Sequence, residues 1–125
     1  MIPVEHPHVE ELRKTLDLLL NDGEIRELRA FGVCRTEFEK PSGYFAFVDS
    51  MDRALEIAAD WDFKGATGVY FTMNPVKEET IAVDINKVYK LKSGICCTDE
   101  DIKVRRWFLV DVDPRRPKGT SSTNA

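Results

Sequence analysis

Basic charge is what this chain lacks most clearly. It has 22 acidic residues against 18 lysines and arginines, a net charge of -4. No global positive field exists, so any contact with nucleic acid must rest on local patches. Long apolar runs are also missing. None approaches the ~20 residues of a membrane-spanning helix. The first residues, MIPVEHPHVEELRK, carry acids and no apolar centre, so they do not read as a signal peptide. Cysteine is scarce, and Cys34, Cys96 and Cys97 form no CxxC pair. An odd count without a secretion signal fits reduced thiols and a cytoplasmic protein. Adjacent Cys96 and Cys97 leave open a soft metal or a strained disulfide, but tetrahedral metal sites need better-spaced ligands.

What is present suffices for one domain. The chain has 125 residues, 42% hydrophobic and 32% charged, an ordinary soluble composition. Residues 7 to 20, PHVEELRKTLDLLL, place Val9, Leu12, Leu16, Leu19 and Leu20 on one helical face. Asn21-Asp22-Gly23 stops that helix. Residues 24 to 33 alternate, with Ile25, Glu27, Arg29 and Phe31 on one side of a strand and Arg26, Leu28 and Ala30 on the other. Tyr44 to Val48 reads as a second strand. Asp49-Ser50 then caps a helix that buries Leu55, Ala58, Ala59 and Trp61. GVYFTM, 68 to 73, is a further strand, stopped by Asn74-Pro75. INKVYKLK, from 85, fits either a short helix or an extended arm. SGICCTDEDI reads as a loop. Residues 104 to 112 read as the clearest strand of all, buried on both faces. Phe31, Tyr44, Phe47 and Trp61 are expected in the core. The pattern predicts an α+β fold, a mixed sheet with flanking helices.

The chemistry sits at the end of that last strand, in RRWFLVDVDPRRPKGTSS. Residues two apart in a strand share a face, so Asp111 and Asp113 point the same way, with Cα atoms roughly 6.5 to 7 Å apart. Paired carboxylates repel each other and resist desolvation unless they meet water, cations or a metal. Mg²⁺ and Mn²⁺ favour such oxygen ligands together with substrate phosphates. Arg115, Arg116 and Lys118 follow within a few residues, and arginine offers a planar fork to phosphate oxygens. The alternative is plainer: both acids leave the core and pair with Arg115 or Arg116 at the surface, where ion pairs contribute only ~0-1 kcal/mol. Acids at the carboxyl end of a buried strand are where α/β active sites lie, which favours the metal reading. Asn74 is open between a nucleotide or template contact and a turn cap. Arg29 is open between a phosphate contact and a structural ion pair. The acidic run Thr98 to Asp101 lacks the spacing of a calcium loop and is expected to be solvated.

Four stretches together resemble the N-terminal part of archaeo-eukaryotic-type primases, especially the primase-polymerase domains fused to helicases in phages, plasmids and mobile elements. They are IRELRAFG (25 to 32), SGYF (42 to 45), GVYFTMNPV (68 to 76) and RRWFLVDVDPRRPKGTSSTNA (105 to 125). The resemblance implies a DNA primase/polymerase core, a nucleotidyltransferase that extends nucleic acid from nucleoside triphosphates. Asp111 and Asp113 match the family's hhDxD motif and would be its catalytic metal ligands, with Mg²⁺ or Mn²⁺ as cofactor. The candidate nucleotide and template contacts are Arg116, Asn74, Arg29 and Lys118. DNA template and nucleoside triphosphates are the implied partners, with a C-terminal helicase in the whole protein. The family's second motif, with serine and histidine, and its third acid normally follow the first and are not found before Ala125. Residues 1 to 119 therefore read as the N-terminal portion of a primase-polymerase-like domain, inactive alone, and 120 to 125 as a polar tail or truncation point. The competing reading is a non-catalytic nucleic-acid or protein-binding domain on the same scaffold.

Overall fold

A computed structural model describes residues 7–21, 23–91 and 96–112. Helix α1 spans Pro7–Leu19 and strand β1 spans Arg26–Val33. Strand β2 covers Ser42–Val48, helix α2 Met51–Phe63, strand β3 Gly68–Phe71 and strand β4 Val88–Lys90. The strands form one sheet in the order β3-β1-β2-β4, and every pairing is antiparallel. The α+β class is as the pattern predicts, but the sheet is not mixed. Short returns, such as residues 34–41 between β1 and β2, favour antiparallel neighbours, whereas parallel pairs need long crossovers.

Both helices pack on one face of the sheet. Leu16 of α1 and Leu55, Ala58 and Trp61 of α2 meet Leu28 and Ala46 there. Ser50 caps α2, its hydroxyl oxygen accepting from the Arg53 backbone N–H. α1 has no basic residue in its last turn. Buried Arg26 fills that role from β1, donating from Nη2 to the Leu19 carbonyl at 2.7 Å.

The opposite face is covered in part by the irregular segment that follows β3. Ile25, Phe45, Phe47 and Val76 form its centre, with Ile81, Tyr89 and Ile102 against them. β2 is thus buried on both sides, which is why YFAFV shows no alternation of apolar and polar residues. The ambiguous INKVYK stretch becomes a turn followed by β4. Asn86 makes that turn at φ 65°, a conformation asparagine tolerates. Its side chain donates to Asp49 Oδ1 at 2.8 Å, and its backbone N–H donates to the Phe47 carbonyl at 2.6 Å. Lys90 pairs with Tyr44, so the arm extends the sheet rather than coiling.

Residues 104–112 correct the reading of a buried strand. They join no ladder and are exposed throughout, Phe108 by 83% and Leu109 by 76%. The apolar run is strand-like in composition, but a buried strand needs neighbouring strands, and among the described residues no strand pairs with it. Phe31 is a second correction. It is 42% exposed rather than part of the core, because the second apolar layer on its face, around Ile25, Phe45, Phe47 and Val76, does not extend over it. Tyr44, Phe47 and Trp61 are buried as expected.

Candidate functional site

The segment bearing the acids leaves the folded unit at a defined point. Val76 and Ile102 form an antiparallel bridge. Flanking it, Lys77 N–H donates to the Asp101 carbonyl at 2.6 Å and Lys103 N–H to the Pro75 carbonyl at 2.8 Å. Asn74 then takes over. Its Oδ1 accepts from the backbone N–H groups of Arg106 and Trp107, both at 2.9 Å, and its Nδ2 donates to the Trp107 carbonyl at 2.8 Å. The side chain is 8% exposed. It stands in for a neighbouring strand and so satisfies backbone groups that a ladder would otherwise serve.

Arg106 adds a second tether, a forked pair with Glu24 that includes one Nη1–Oε2 contact of 2.8 Å. The hydrogen bond from Arg106 holds the Glu24 carboxyl below its ordinary value, against a smaller opposing effect of burial. Beyond these tethers the chain runs out exposed to Asp111. Asp113, Arg116 and Lys118 lie outside the described residues. Among the described residues, no group of three or more histidine, cysteine, aspartate or glutamate side chains gathers in a way that could hold a metal ion. The donor set itself, two carboxylates two residues apart, has the hard oxygen chemistry that Mg²⁺ and Mn²⁺ select. A site built on it would need further ligands from elsewhere.

Arg29 lies on the face away from the helices. Its Nε donates to Glu27 Oε1 at 2.9 Å, and Nη2 reaches the same oxygen. Glu27 is buried, and its other oxygen accepts from the Cys97 N–H at 2.7 Å. Burial works against the Arg29 charge, but the hydrogen bond and attraction from Glu27 outweigh it and raise its pKa. The same surroundings act oppositely on the thiols. Burial first, and then the Glu27 charge, push Cys97 up to about 12 and raise Cys96. Cys97 is therefore a protonated, weakly nucleophilic thiol at neutral pH. Neither cysteine forms a disulfide. Thr98 and Asp101 cap each other in a 3-10 turn, Asp99–Asp101, so that acidic run is a built structural corner.

Around the Glu27–Arg29 pair lies an open cleft of about 380 Å³, also lined by Phe31, Tyr70, Thr72 and Cys97. Phe31 and Tyr70 meet edge to face with centroids 6.1 Å apart. The sequence already placed Glu27, Arg29 and Phe31 on one side of β1. What it did not supply was Tyr70, which reaches them only through the register that sets Arg29 opposite Tyr70 and Phe31 opposite Gly68. No family model, curated protein or solved structure matches the chain.

Proposed function

We propose that this chain is the N-terminal portion of a primase-polymerase, a nucleotidyltransferase that works on a DNA template with nucleoside triphosphates. The observation that carries the reading is the Asn74 tether. It holds Arg106 and Trp107, at the start of an exposed apolar segment whose sequence runs on to Asp111 and Asp113. An exposed apolar segment of this kind is a surface made for another partner. In the proposal that partner is the second half of a polymerase core, which would supply the remaining ligands and the phosphate-binding motif. IRELRAFG, SGYF and GVYFTMNPV lend support by meeting in space: they lie on β1, β2 and β3, with β1 central among them.

In this reading Asp111 and Asp113 would hold Mg²⁺ or Mn²⁺, and Arg116 and Lys118 would face the phosphates. A bound dication supplies charge that stabilises the transferring phosphoryl group. Asn74 acts one step back, as a positioning residue: its own hydrogen bonds go to Arg106 and Trp107, which fixes where the DxD segment begins. Arg29 is oriented by Glu27.

The test is a Mn²⁺ titration and a nucleotide-incorporation assay on the protein expressed from its complete reading frame. Asp111→Ala and Asp113→Ala should each abolish Mn²⁺ binding and incorporation. Asp111 is exposed, so its variant should stay within about 0.5 kcal/mol of the parent in stability. Parental Mn²⁺ binding in both variants, or no Mn²⁺ binding by the parent, would defeat the proposal. Exposure of Phe108 to Val112 also favours a second reading, a non-catalytic domain that docks a partner through this segment. That reading predicts binding without any metal dependence.

A further inference from the structure

We infer that the cleft on the open face of the sheet takes an unpaired base of a single-stranded nucleic acid, stacked on Tyr70 and Phe31, with Arg29 donating to an acceptor on the base edge or its phosphate. The inference rests on the proposal that the chain works on nucleic acid, but not on the metal site.

Three features carry it. The first is the platform. Tyr70 is 58% exposed and Phe31 is 42% exposed, although an apolar core lies beside them on the same face. Tyr70 leans back over Gly68, where a Cβ would sit 2.5 Å from its hydroxyl oxygen and 2.8 Å from its ring. The missing side chain lets the ring lie against the sheet. Phe31 is placed by a bulge between Ala30 and Val33, where Gly32 adopts φ 73°. The Phe31 carbonyl accepts from the Thr67 N–H at 2.8 Å, which ties the bulge to the start of β3.

The second is Arg29. Its side chain is 32% exposed, and two of its nitrogens are held by Glu27, so the guanidinium is oriented before any ligand arrives. Arg29 lines the cleft beside Tyr70. A fixed planar donor beside exposed rings matches a flat ligand with acceptors at its edge. Thr72 completes the rim. Its hydroxyl oxygen accepts from the Glu27 N–H at 3.1 Å, which leaves the hydroxyl hydrogen to donate.

The third is size and charge. About 380 Å³ lies at the small end of ligand pockets. Asp99, from the acidic turn Asp99–Asp101, lines the cleft together with Glu27 and disfavours a long run of phosphates there. The footprint is therefore short, one or two nucleotides. A duplex is excluded because its base faces are covered by stacking, whereas single strands offer theirs to aromatic side chains.

The test is fluorescence anisotropy of a short labelled oligothymidylate with the protein at low salt. Tyr70→Ala and Phe31→Ala should each weaken binding about tenfold or more, while Tyr70→Trp binds like the parent. Circular dichroism and a urea melt should show all three variants folded, since both side chains are exposed. Parental affinity in Tyr70→Ala and Phe31→Ala would overturn the cleft assignment and leave the nucleic-acid reading standing. No strand binding by the parent would overturn both. Displacement of the strand by an equal concentration of dTTP would place a free nucleotide in the cleft and overturn the strand assignment.

Discussion

At the scale of single residues, the chain uses polar side chains as substitutes for missing backbone partners. Asn74 serves three backbone groups of Arg106 and Trp107, and Arg26 ends α1 from a neighbouring strand. The Glu24–Arg106 pair makes a contribution that varies with acidity. The folded pKa of Glu24 lies below the ordinary 4.5 because of the Arg106 hydrogen bond. The unfolded chain therefore takes up the proton first. The pair's contribution is present above the unfolded value and is lost as pH falls through the folded one. Urea midpoints measured at about pH 6 and then in steps below about pH 4.5 should fall more steeply for the parent than for Arg106→Ala. Identical slopes would show that the pair contributes nothing. The effect is small, because the pair sits near the surface.

At the scale of elements, β2 is the strand on which the fold depends. It pairs with β1 on one side and β4 on the other, and it has a buried layer on both faces. Phe45 is fully buried, stacked on Tyr89 at 5.8 Å and edge to face with Phe47 at 5.9 Å. Phe45→Ala should cost about 3–5 kcal/mol in equilibrium unfolding, a loss of transfer energy plus a cavity. A cost under about 1 kcal/mol would mean that the segment after β3 does not pack there. This second layer was the part of the fold least visible in sequence. The helical layer follows from periodicity: α1 and α2 repeat apolar residues at three- and four-residue intervals, and Ser50 marks a start. Residues 76–91 have no such period. Their place over Phe45 and Phe47 comes from isolated contacts by Ile81, Val83 and Tyr89.

At the scale of the whole molecule, the segment 104–112 is apolar in composition yet exposed to water. Val104, Phe108, Leu109, Val110 and Val112 are exposed by 41%, 83%, 76%, 69% and 83%. Replacing Phe108, Leu109 and Val110 together with serine should leave stability nearly unchanged, each site within about 0.5 kcal/mol, because nothing is uncovered. The same variant should lower the apparent mass seen by light scattering wherever the parent self-associates, since exposed apolar strands invite edge pairing. A stability loss above about 3 kcal/mol would show that the segment is packed. The described residues contain no helix long and apolar enough to cross a membrane.

The sequence by itself determined the class of the fold, the two helices, the two-faced character of β1 and the clustering of Asp111 with Asp113 in one short motif. These follow from local rules: periodicity, capping and the alternation of side chains along a strand. Tertiary structure decided the rest. Cross-strand register brought Tyr70 to Phe31, and chain return brought Cys97 to Glu27, which lies 70 residues away. The apolar stretch 104–112 shows the limit most clearly. Its composition states that it favours burial, but burial is a property of two surfaces, and only the folded chain shows whether the second one is within reach.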